Sequence, residues 1–587
     1  MVFYPPSWVP SMPSPPDSIS IPEFIFNEEH GRVPLSESRP FFTCGVTGQT
    51  VSPVELKERV DFLARGLAQE LGWQVNQGSE WDKVVGVFSV NTLDTLPLAW
   101  ATHLLGGLQT PANAAYSTAE VAFQMKDSGA KCIFTCLPLL KTTLEAAAKA
   151  GIPKNRVYIL ELPDAITGGA KAEGFTTVSD LVERGGKLPK LESLNWQKGD
   201  GAKKTAFLCY SSGTSGLPKG VMISHANVIA NSLQIASFDN FYRKTIPFTE
   251  GKRYQENCLG LLPMSHIYSL VVICHVSPYR GDGVIVLPKF DMVQYLTSIQ
   301  QFKIASLYLV PPIIIAMVKN KAALEKFDIS SVKIIFTGAA PLGAETADEL
   351  SKQYPSWLIR QGYGLTETAT VVCSSSGHDI WFGSSGSIIP HVECKIIDPV
   401  SMEEITAYDS PGELWVKSPA VTLGYFKREE ANKETYITDS QGRWMRTGDE
   451  AVVRIAPSGN EHIFITDRIK ELIKVKGLQV APAELEAHLL THPAVADCCV
   501  IAVPDDRAGE VPKAYVVKSN SIGLEESERM TKREIARHVE REKSKHKWLA
   551  GGIEFIDEIP KSPSGKILRR LLRDKDRAER KKQGAKL

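Results

Sequence analysis

The sequence lacks the features of secreted, membrane-spanning and nucleic-acid-coating proteins. No pair of its ten cysteines has the two-residue spacing of a zinc knuckle or redox motif, which indicates a reducing compartment. The longest apolar run, Ile304 to Val318, contains two prolines and is shorter than the about 20 residues of a membrane helix. The 67 basic and 67 acidic residues cancel, so the charge of a nucleic-acid-binding protein is missing. The first 22 residues lack the basic and apolar regions of a secretory signal, and none is expected.

The chain is long enough for several domains. It has 587 residues, and a domain usually has roughly 100–200. Short apolar strands alternate with helices, which predicts an α/β protein with buried, largely parallel sheets. Lysine becomes frequent near Asp467-Arg468, and an amphipathic helix and two strands are predicted beyond that point. We therefore predict two domains, residues 1–467 and residues 468–587, and the second carries 26 basic against 19 acidic residues.

One segment has the composition of a polyphosphate-binding loop. Tyr210–Gly220 reads YSSGTSGLPKG and follows a predicted strand, Ala206–Cys209. Its backbone amides, four hydroxyls and one lysine can donate hydrogen bonds to phosphate oxygens. The spacing is not that of a Walker A loop. A flexible surface loop is the alternative, which Pro218 and the apolar residues after it disfavour.

Four further segments contain candidate binding or catalytic residues, and they indicate a function only when they are considered together. Gln361–Thr368 offers two glycines, an aromatic ring for a base, and a threonine and a glutamate for a phosphate and its metal ion. Arg446–Asp449 places a carboxylate after a glycine turn, suited to ribose hydroxyls. Asp467–Gly477 spaces its lysines so that they do not share one face. Pro560–Lys566 holds one lysine before a predicted helix, Ile567–Leu572. Taken singly, each segment also fits a structural turn or a solvated lysine.

In order and spacing, the five segments resemble the adenylate-forming superfamily of acyl-CoA synthetases, nonribosomal-peptide adenylation domains and firefly luciferases. The resemblance runs from about Ser52 to Arg570 and is most similar to the 4-coumarate–CoA ligase branch, in particular fungal peroxisomal phenylacetate–CoA ligases. It implies a large N-terminal α/β domain with several sheets and a small, mobile C-terminal α+β domain. It also implies a ligase that converts acid and ATP to acyl-AMP and pyrophosphate, then transfers the acyl group to CoA and releases AMP.

The resemblance also implies a role for each matching residue. The expected phosphate ligands are Ser211, Ser212, Gly213, Thr214, Ser215, Gly216 and Lys219. The expected contacts of adenine and the α-phosphate are Gln361, Gly362, Tyr363 and Thr366, with Glu367 on Mg²⁺, Asp449 and Arg468 on the ribose, Lys470 as the hinge, and Lys566 between the carboxylate and the α-phosphate. The second conformation is expected to use Lys474 and Gln479 at the nucleotide, and Lys476, Gly477 and Arg280 at CoA.

The substrate pocket is assigned by the same resemblance. Its expected lining is His266, Tyr268, Phe336, Gly338, Ala339, Gly364, Thr370, Val371 and Val372. His266 is expected to position the substrate or gate the pocket, although a lone histidine beside apolar residues is often a packed core residue. The lining is compact and apolar, which favours an aryl or medium-length carboxylate. Phenylacetate is the leading candidate; hydroxycinnamates and medium-chain fatty acids are the alternatives.

Two activities outside this class stay open: a non-catalytic acyl-adenylate sensor, which the presence of Lys219 and Lys566 disfavours, and a luciferase-like oxidase. The expected partners are the acid, ATP and CoA, without nucleic acid or a membrane segment. The last residues, Ala585-Lys586-Leu587, are close to a peroxisomal import signal, which predicts a peroxisomal location with a cytoplasmic one as the alternative.

Overall fold

The structure is a computed structural model that describes residues 1–211, 218–505, 507–519, 528–562 and 565–584. The predicted phosphate ligands Ser212, Gly213, Thr214, Ser215 and Gly216, and the terminal Ala585-Lys586-Leu587, lie outside these residues. In the described part of the chain, no helix has the length and apolar composition needed to cross a bilayer.

The strands of the described residues form four sheets. In chain order they are β1 Val2–Phe3, β2 Phe42–Cys44, β3 Val84–Phe88, β4 Leu108–Ala112, β5 Cys132–Thr135, β6 Val157–Ile159, β7 Thr205–Ser211, β8 Lys219–Ser224, β9 Asn257–Gly260, β10 Gly283–Val286, β11 Ile304–Leu309, β12 Ile334–Thr337, β13 Leu358–Leu365, β14 Thr370–Ser374, β15 Ser387–Ile388, β16 Glu393–Ile397, β17 Gly412–Lys417, β18 Gly424–Tyr425, β19 Tyr436–Asp439, β20 Gly442–Ile455, β21 Glu461–Arg468, β22 Ile473–Val475, β23 Leu478–Val480, β24 Val495–Asp505, β25 Gly509–Lys518 and β26 Ile553–Phe555.

The helices cover the faces of these sheets. The α-helices are α1 Ile21–Phe26, α2 Pro53–Leu71, α3 Thr95–Leu104, α4 Thr118–Ser128, α5 Leu140–Ala150, α6 Asp164–Thr167, α7 Val178–Gly186, α8 Asp200–Lys203, α9 His225–Arg243, α10 Ser277–Tyr279, α11 Met292–Phe302, α12 Pro311–Lys319, α13 Lys321–Leu324, α14 Ala344–Gln353, α15 Glu429–Thr435, α16 Pro482–Leu490, α17 Glu528–Glu542 and α18 Arg569–Gly584. A π-helix, Tyr268–Val276, runs directly into α10. A 3₁₀ turn, Thr366–Thr368, links β13 to β14.

Two of the sheets are mainly parallel, as the sequence predicts. The seven-stranded sheet has the order β18-β8-β7-β4-β3-β5-β6, and the eight-stranded sheet has the order β15-β14-β13-β12-β11-β9-β10-β2. Each ends in antiparallel strands at one edge. In open parallel sheets, ligands bind outside the carboxyl ends of the strands. The site should therefore lie where β7, β12 and β13 end.

The other two sheets are mainly antiparallel: the six-stranded sheet corrects the expectation of largely parallel sheets, and the five-stranded sheet fits the expected α+β C-terminal domain. The six-stranded sheet pairs β1, β16, β17, β20, β19 and β21 antiparallel throughout. The five-stranded sheet, β22 to β26, is antiparallel apart from the β25–β26 pair. Apolar strands of both kinds carry buried residues, so a short apolar run in the sequence does not reveal strand direction.

Local sequence signals set several helix ends. Ser52 accepts a hydrogen bond from the Glu55 amide at 3.2 Å and Glu55 accepts one from the Ser52 amide at 2.9 Å, and α2 ends before Gly72, as predicted. The predicted helix Ile567–Leu572 starts two residues too early. Ile567 instead forms a bridge with Lys561, and the Leu568 amide donates to the Pro560 carbonyl at 2.8 Å, so α18 begins only at Arg569.

The C-terminal region, which follows β21, has its own core and packs against the large domain. Its core includes Ile473, Leu485 and Val516. Lys319 Nζ at the end of α12 donates to the Val495 carbonyl at 2.9 Å, which joins the two domains. The architecture is therefore a large N-terminal α/β domain with a smaller C-terminal domain.

Candidate active site

A hairpin brings the predicted phosphate lysine next to the predicted metal ligand. Ser211 ends β7 and pairs with Lys219 at the start of β8. Ser211 Oγ donates to Glu367 Oε1 at 3.2 Å, and Tyr425 Oη donates to the same oxygen at 2.8 Å. Lys219 Nζ lies 4.9 Å from the centre of the Tyr425 ring. Lys219, Ser211 and Glu367 thus border one space at the end of β7.

A second group surrounds Asp449. Tyr363 Oη donates to Asp449 Oδ2 at 2.6 Å, and Arg468 Nε lies 3.7 Å from Asp449 Oδ1. Asp449 and Arg468 are paired across β20 and β21, so the sheet register fixes their contact. Asp449 lies inside a long strand, at a bulge after Gly448, and not after a free turn as the sequence suggested. Burial raises the pKa of Asp449, and Arg468, Tyr363 and Lys566 oppose that shift.

Lys566 reaches this group from the C-terminal region. Its loop is closed by hydrogen bonds from the Ser562 amide to the Lys566 carbonyl at 2.8 Å and from the Lys566 amide to Ser562 Oγ at 3.2 Å. Gly565 has φ of +81°, and a Cβ there would lie 3.2 Å from Val310 Cγ2 of the large domain. Only glycine meets both demands without strain. The loop therefore delivers Lys566 closely against the large domain.

The charge of Lys566 depends on both domains. Burial, and then the charge of Arg468, lower its pKa from 10.5 to about 8, and Asp449 and Glu367 partly oppose this shift. The charges of Asp449 and Glu367 both act on the pKa of Lys566, because the lysine lies between the group around Glu367 and the group around Asp449. At neutral pH it is a cation with a readily lost proton.

His266 lies near the same lysine. Burial lowers its pKa to about 4, and the charge of Lys566 contributes to the shift. The Tyr268 amide donates to His266 Nδ1 at 3.3 Å, so in the neutral ring the proton is on Nε2. His266 is therefore a neutral hydrogen-bond donor at the junction of the lysine and the predicted acyl pocket.

Three aromatic rings form the wall of that pocket. Tyr268 Oη donates to the Phe336 carbonyl at 2.8 Å. The ring centres of Tyr268 and Phe336 are 6.1 Å apart, and Tyr308 lies 6.4 Å from Tyr268 and 6.0 Å from Phe336. A Cβ on Gly338 would lie 3.5 Å from the Tyr268 ring, so Gly338 borders the same wall. Tyr308 was not foreseen from the sequence.

The backbone at the base of the pocket has unusual torsion angles. Ala339, Ala369 and Thr370 have positive φ of 67°, 48° and 126°, which is rare for residues other than glycine and often found at functional sites. Thr370 Oγ1 donates to the Ile267 carbonyl at 3.0 Å, which ties the floor to the segment that carries His266. At Gly364, a Cβ would overlap the Thr370 carbonyl oxygen at 1.4 Å.

The two predicted valines have different positions. Val371 lines a small cavity next to Phe336 and Tyr308, with a volume of about 20 Å³, which is room for roughly one water molecule. Val372 is fully buried in the main core of the large domain. The structure thus brings His266, Tyr268, Phe336 and Val371 together and places Val372 in the core.

On the side of the site predicted to bind adenine, the Gln361 side chain makes two hydrogen bonds. Its Oε1 accepts a hydrogen bond from the Leu342 amide at 2.9 Å, and its Nε2 donates to the Ser384 carbonyl at 3.4 Å. Gly362 follows it, and a Cβ there would lie 2.6 Å from the Phe336 ring. The strand that carries Gln361 to Tyr363 therefore separates the nucleotide side from the acyl side, and Thr366 follows in the 3₁₀ turn.

The residues predicted for the second conformation lie away from these groups on the surface of the C-terminal region. Lys470 is exposed in the turn after β21. Lys474 and Gln479 are paired across the β22–β23 hairpin, and Lys476-Gly477 forms its exposed turn. The hairpin thus presents two lysines to solvent. Their predicted contacts with nucleotide and CoA stay predictions.

Arg280 differs from this set because it is buried in the large domain. It is 6% exposed, and its Nη2 donates to Asp239 Oδ2 at 2.6 Å. It lines the same cavity as Phe336 and Val371. Its predicted contact with CoA stays a prediction, although this placement points to the acyl side.

Comparisons with known proteins give the class. A family model described as AMP-binding enzyme matches residues 34–426, and one described as AMP-binding enzyme C-terminal domain matches residues 484–566. The chain belongs to the AMP-binding enzyme family. This membership confirms the predicted class of enzyme, an AMP-forming acid–thiol ligase, and the use of ATP and CoA fits it.

The curated relatives are fungal proteins. The acyl-CoA ligase easD of Emericella nidulans is 41% identical over 98% of this chain and 100% of its own length. The acyl-CoA ligase cm3C of Cordyceps militaris is 39% identical over 98% of this chain and 90% of its own length. Among solved structures, an anthranilate CoA ligase in complex with anthranoyl-AMP has a TM-score of 0.77 at 21% identity, covering 95% of this chain and 97% of its own, and shares the fold. The phenylacetate branch stays a prediction.

Proposed function

We propose that the protein activates an aryl or medium-length carboxylic acid as its acyl-adenylate and transfers the acyl group to CoA. The observation that carries the proposal is that Lys566, buried next to an aromatic pocket, lies within range of the charges of Asp449, Glu367 and Arg468. Phenylacetate is the leading substrate and a hydroxycinnamate or a medium-chain fatty acid is the alternative.

The charges in the site fit the first half-reaction. A carboxylate must attack the α-phosphate of ATP, and the two anions repel each other. Lys566 from the C-terminal region and Lys219 from the β7–β8 hairpin supply cations on the protein side. In this proposal Lys566 bridges the attacking carboxylate and the α-phosphate, while Lys219 and Ser211 hold the departing phosphates. His266, as a neutral donor, orients the carboxylate.

The nucleotide would lie across the end of β13. Tyr363 would stack on adenine, and Asp449 would accept the ribose hydroxyls, with Arg468 beside it. Gln361, Gly362 and Thr366 would contact the base and the α-phosphate. Asp449 already accepts a hydrogen bond from Tyr363, so the carboxylate is held in place before ribose arrives.

The residues at Glu367 fit a magnesium ion shared with ATP. Mg²⁺ prefers oxygen ligands and in nucleotide sites commonly takes one or two carboxylates plus phosphate oxygens. Glu367 Oε1 accepts hydrogen bonds from Ser211 and Tyr425, and these two donors orient the carboxylate. When bound, the ion would neutralise charge on the phosphates. The described residues hold no cluster of three metal-binding side chains, so the other ligands would come from ATP and water.

The second half-reaction requires a different surface. With Lys566 bridging the carboxylate and the α-phosphate, as proposed, the CoA thiol could not approach from that side. We propose that the C-terminal region rotates about Lys470 and brings the exposed Lys476-Gly477 turn to CoA, with Lys474 and Gln479 at the nucleotide. The boundary at residues 467 and 468 is part of this proposal.

Pyrophosphate release across a panel of carboxylic acids, with and without CoA, tests the proposal. The panel contains phenylacetate, a hydroxycinnamate, benzoate and fatty acids of increasing length. We expect acid-dependent release without CoA, and thioester and AMP with it. Release with none of the acids would support an acyl-adenylate sensor, and oxygen-dependent turnover without CoA would support a luciferase-like oxidase.

We also propose a peroxisomal location, on the basis of the terminal Ala585-Lys586-Leu587 in the sequence. A fluorescent fusion that leaves this end free should appear in peroxisomes, and removal of the three residues should return it to the cytoplasm. Identical distributions of the two fusions would contradict the proposal.

A further inference from the structure

The small cavity that Val371 lines, which adjoins the predicted acyl pocket at Phe336, has an apolar wall and a charged end. Phe336, Tyr308 and Val371 form part of its apolar wall. Its charged lining consists of Arg280, Arg360, Asp239, Arg243 and Glu256. A purely apolar acyl group would leave these charges against hydrocarbon, which is unfavourable unless every polar atom has a partner.

The charged groups are joined in two buried networks. Asp239 accepts from Arg280 Nη2 and from Arg360 Nη2, both at 2.6 Å. Arg243 donates to Glu256 at 2.8 Å and to Asp282 at 2.7 Å. The two guanidinium groups lower the pKa of Asp239 to about 2, so this carboxylate is charged.

The positive and negative charges of the networks are equal in number, but one of their hydrogen-bond donors has no acceptor within the described ranges. Their three arginines oppose three carboxylates, so a second carboxylate on the substrate would add an uncompensated buried charge. Arg280 Nε, however, is buried and lacks a hydrogen-bond partner among the residues that the structure describes. An unpaired buried donor of this kind is costly, and an acceptor within the cavity would remove the cost.

A chain of side-chain contacts separates this donor from His266 and Lys566. His266, near Lys566, contacts Tyr268. The Tyr268 ring lies 6.1 Å from the Phe336 ring, and the Phe336 ring lies 5.6 Å from Arg360 Cζ. Arg360 then shares Asp239 with Arg280. Phe336 therefore stands between the reactive end and the arginines.

We propose that the acyl substrate carries a neutral oxygen, a hydroxyl or a carbonyl, at the end remote from its carboxylate, and that Arg280 Nε donates a hydrogen bond to it. Arg280 is then a specificity-determining residue of the acyl pocket. This inference rests on the proposed function, which it deepens by naming the class of acid.

The test compares acids that differ only at the remote end. One series is phenylacetate and its para-hydroxy derivative; the other is a medium-chain fatty acid, its omega-hydroxy and omega-oxo derivatives, and the dicarboxylic acid of equal length. Acid-dependent pyrophosphate release gives kcat/KM for each. We expect at least one neutral oxygenated acid to exceed its plain parent by about 10–100-fold, the range for a hydrogen bond to a charged group, and to exceed the dicarboxylic acid as well.

Arg280→Lys is the matched variant, because lysine keeps a positive charge for Asp239 but has no Nε donor. It should lower the ratio of oxygenated to plain acid towards 1. If the variant does not fold, as judged by its thermal unfolding, the ratio in the wild-type protein decides alone.

The failures are distinguishable. This inference would be overturned if kcat/KM for the unsubstituted acid equalled or exceeded that for its oxygenated derivatives in both series, or if the dicarboxylic acid were preferred. The ligase assignment would stay intact in either case. Absence of pyrophosphate release with every acid would overturn the proposed function, and this inference with it.

Discussion

Adenylation should decline as pH rises through about 8, because burial beside Arg468 lowers the pKa of Lys566 to about 8. The rate falls, and does not rise, with pH because the protonated form of Lys566 is the active one. Below this pKa, Lys566 is an ammonium ion that can bridge the carboxylate and the α-phosphate. Above it, the neutral amine leaves the two anions without that cation.

The size of the effect follows from the same pKa. The ammonium fraction falls about tenfold for each pH unit above it, so kcat/KM for pyrophosphate release at pH 9 should be about one tenth of its plateau value. Bound ATP brings negative charge next to Lys566 and raises its pKa. The alkaline limb of kcat should therefore lie at higher pH than that of kcat/KM.

The assay is acid-dependent pyrophosphate release without CoA, because the CoA thiol ionises in the same range, with a pKa of about 8.5. Lys566→Arg is the control, since arginine stays charged throughout the range. Its plateau should be lower, and its alkaline limb should vanish. A flat wild-type profile up to about pH 9.5, or the same limb in the arginine variant, would show that Lys566 does not set the alkaline limb.

Three further substitutions separate the parts of the site. Asp449→Asn should raise KM for ATP by about 10–100-fold, since it removes a charged acceptor of the ribose hydroxyls; an unchanged KM would count against this role. Tyr425→Phe removes one of the two donors to Glu367 Oε1 and should raise the Mg²⁺ concentration needed for half-maximal pyrophosphate release by about 2–10-fold; titration with Mg²⁺ checks it, and an unaltered curve would contradict it. Lys476→Ala should raise KM for CoA in thioester formation and spare pyrophosphate release; normal CoA kinetics would exclude that contact.

The sequence predicts the site best where long motifs lie on one segment. The helix α2 and the strand β7 were foreseeable because capping, periodic and apolar-run signals are local, whereas Gln361–Leu365, which taken singly also fits a turn, is part of strand β13. The meeting of Lys566 with Asp449 depends on docking of the C-terminal region, which no local pattern contains. The family resemblance supplied that expectation, and the charges that act on Lys566 are consistent with it.

Other features had no signal in the sequence. Tyr425 lies in a two-residue strand, and its contact with Glu367 spans 58 positions of the chain. The Arg280–Asp239–Arg360 group joins α9, the end of α10 and β13, so only the packing of the large domain brings it to the cavity beside Phe336. Side chains from distant segments converge through tertiary packing, which residue spacing along one segment does not report.

We propose that Lys566 drives the first half-reaction and that the C-terminal region presents another surface for the second. The most direct measurement is the rate of each half-reaction in Lys566→Ala, with pyrophosphate release from acid and ATP followed separately from thioester formation from supplied acyl-adenylate and CoA. We expect pyrophosphate release to fall by about 10²–10³-fold, as for loss of a group that stabilises transition-state charge, and thioester formation to stay near the wild-type rate. An equal loss in both half-reactions would contradict the account.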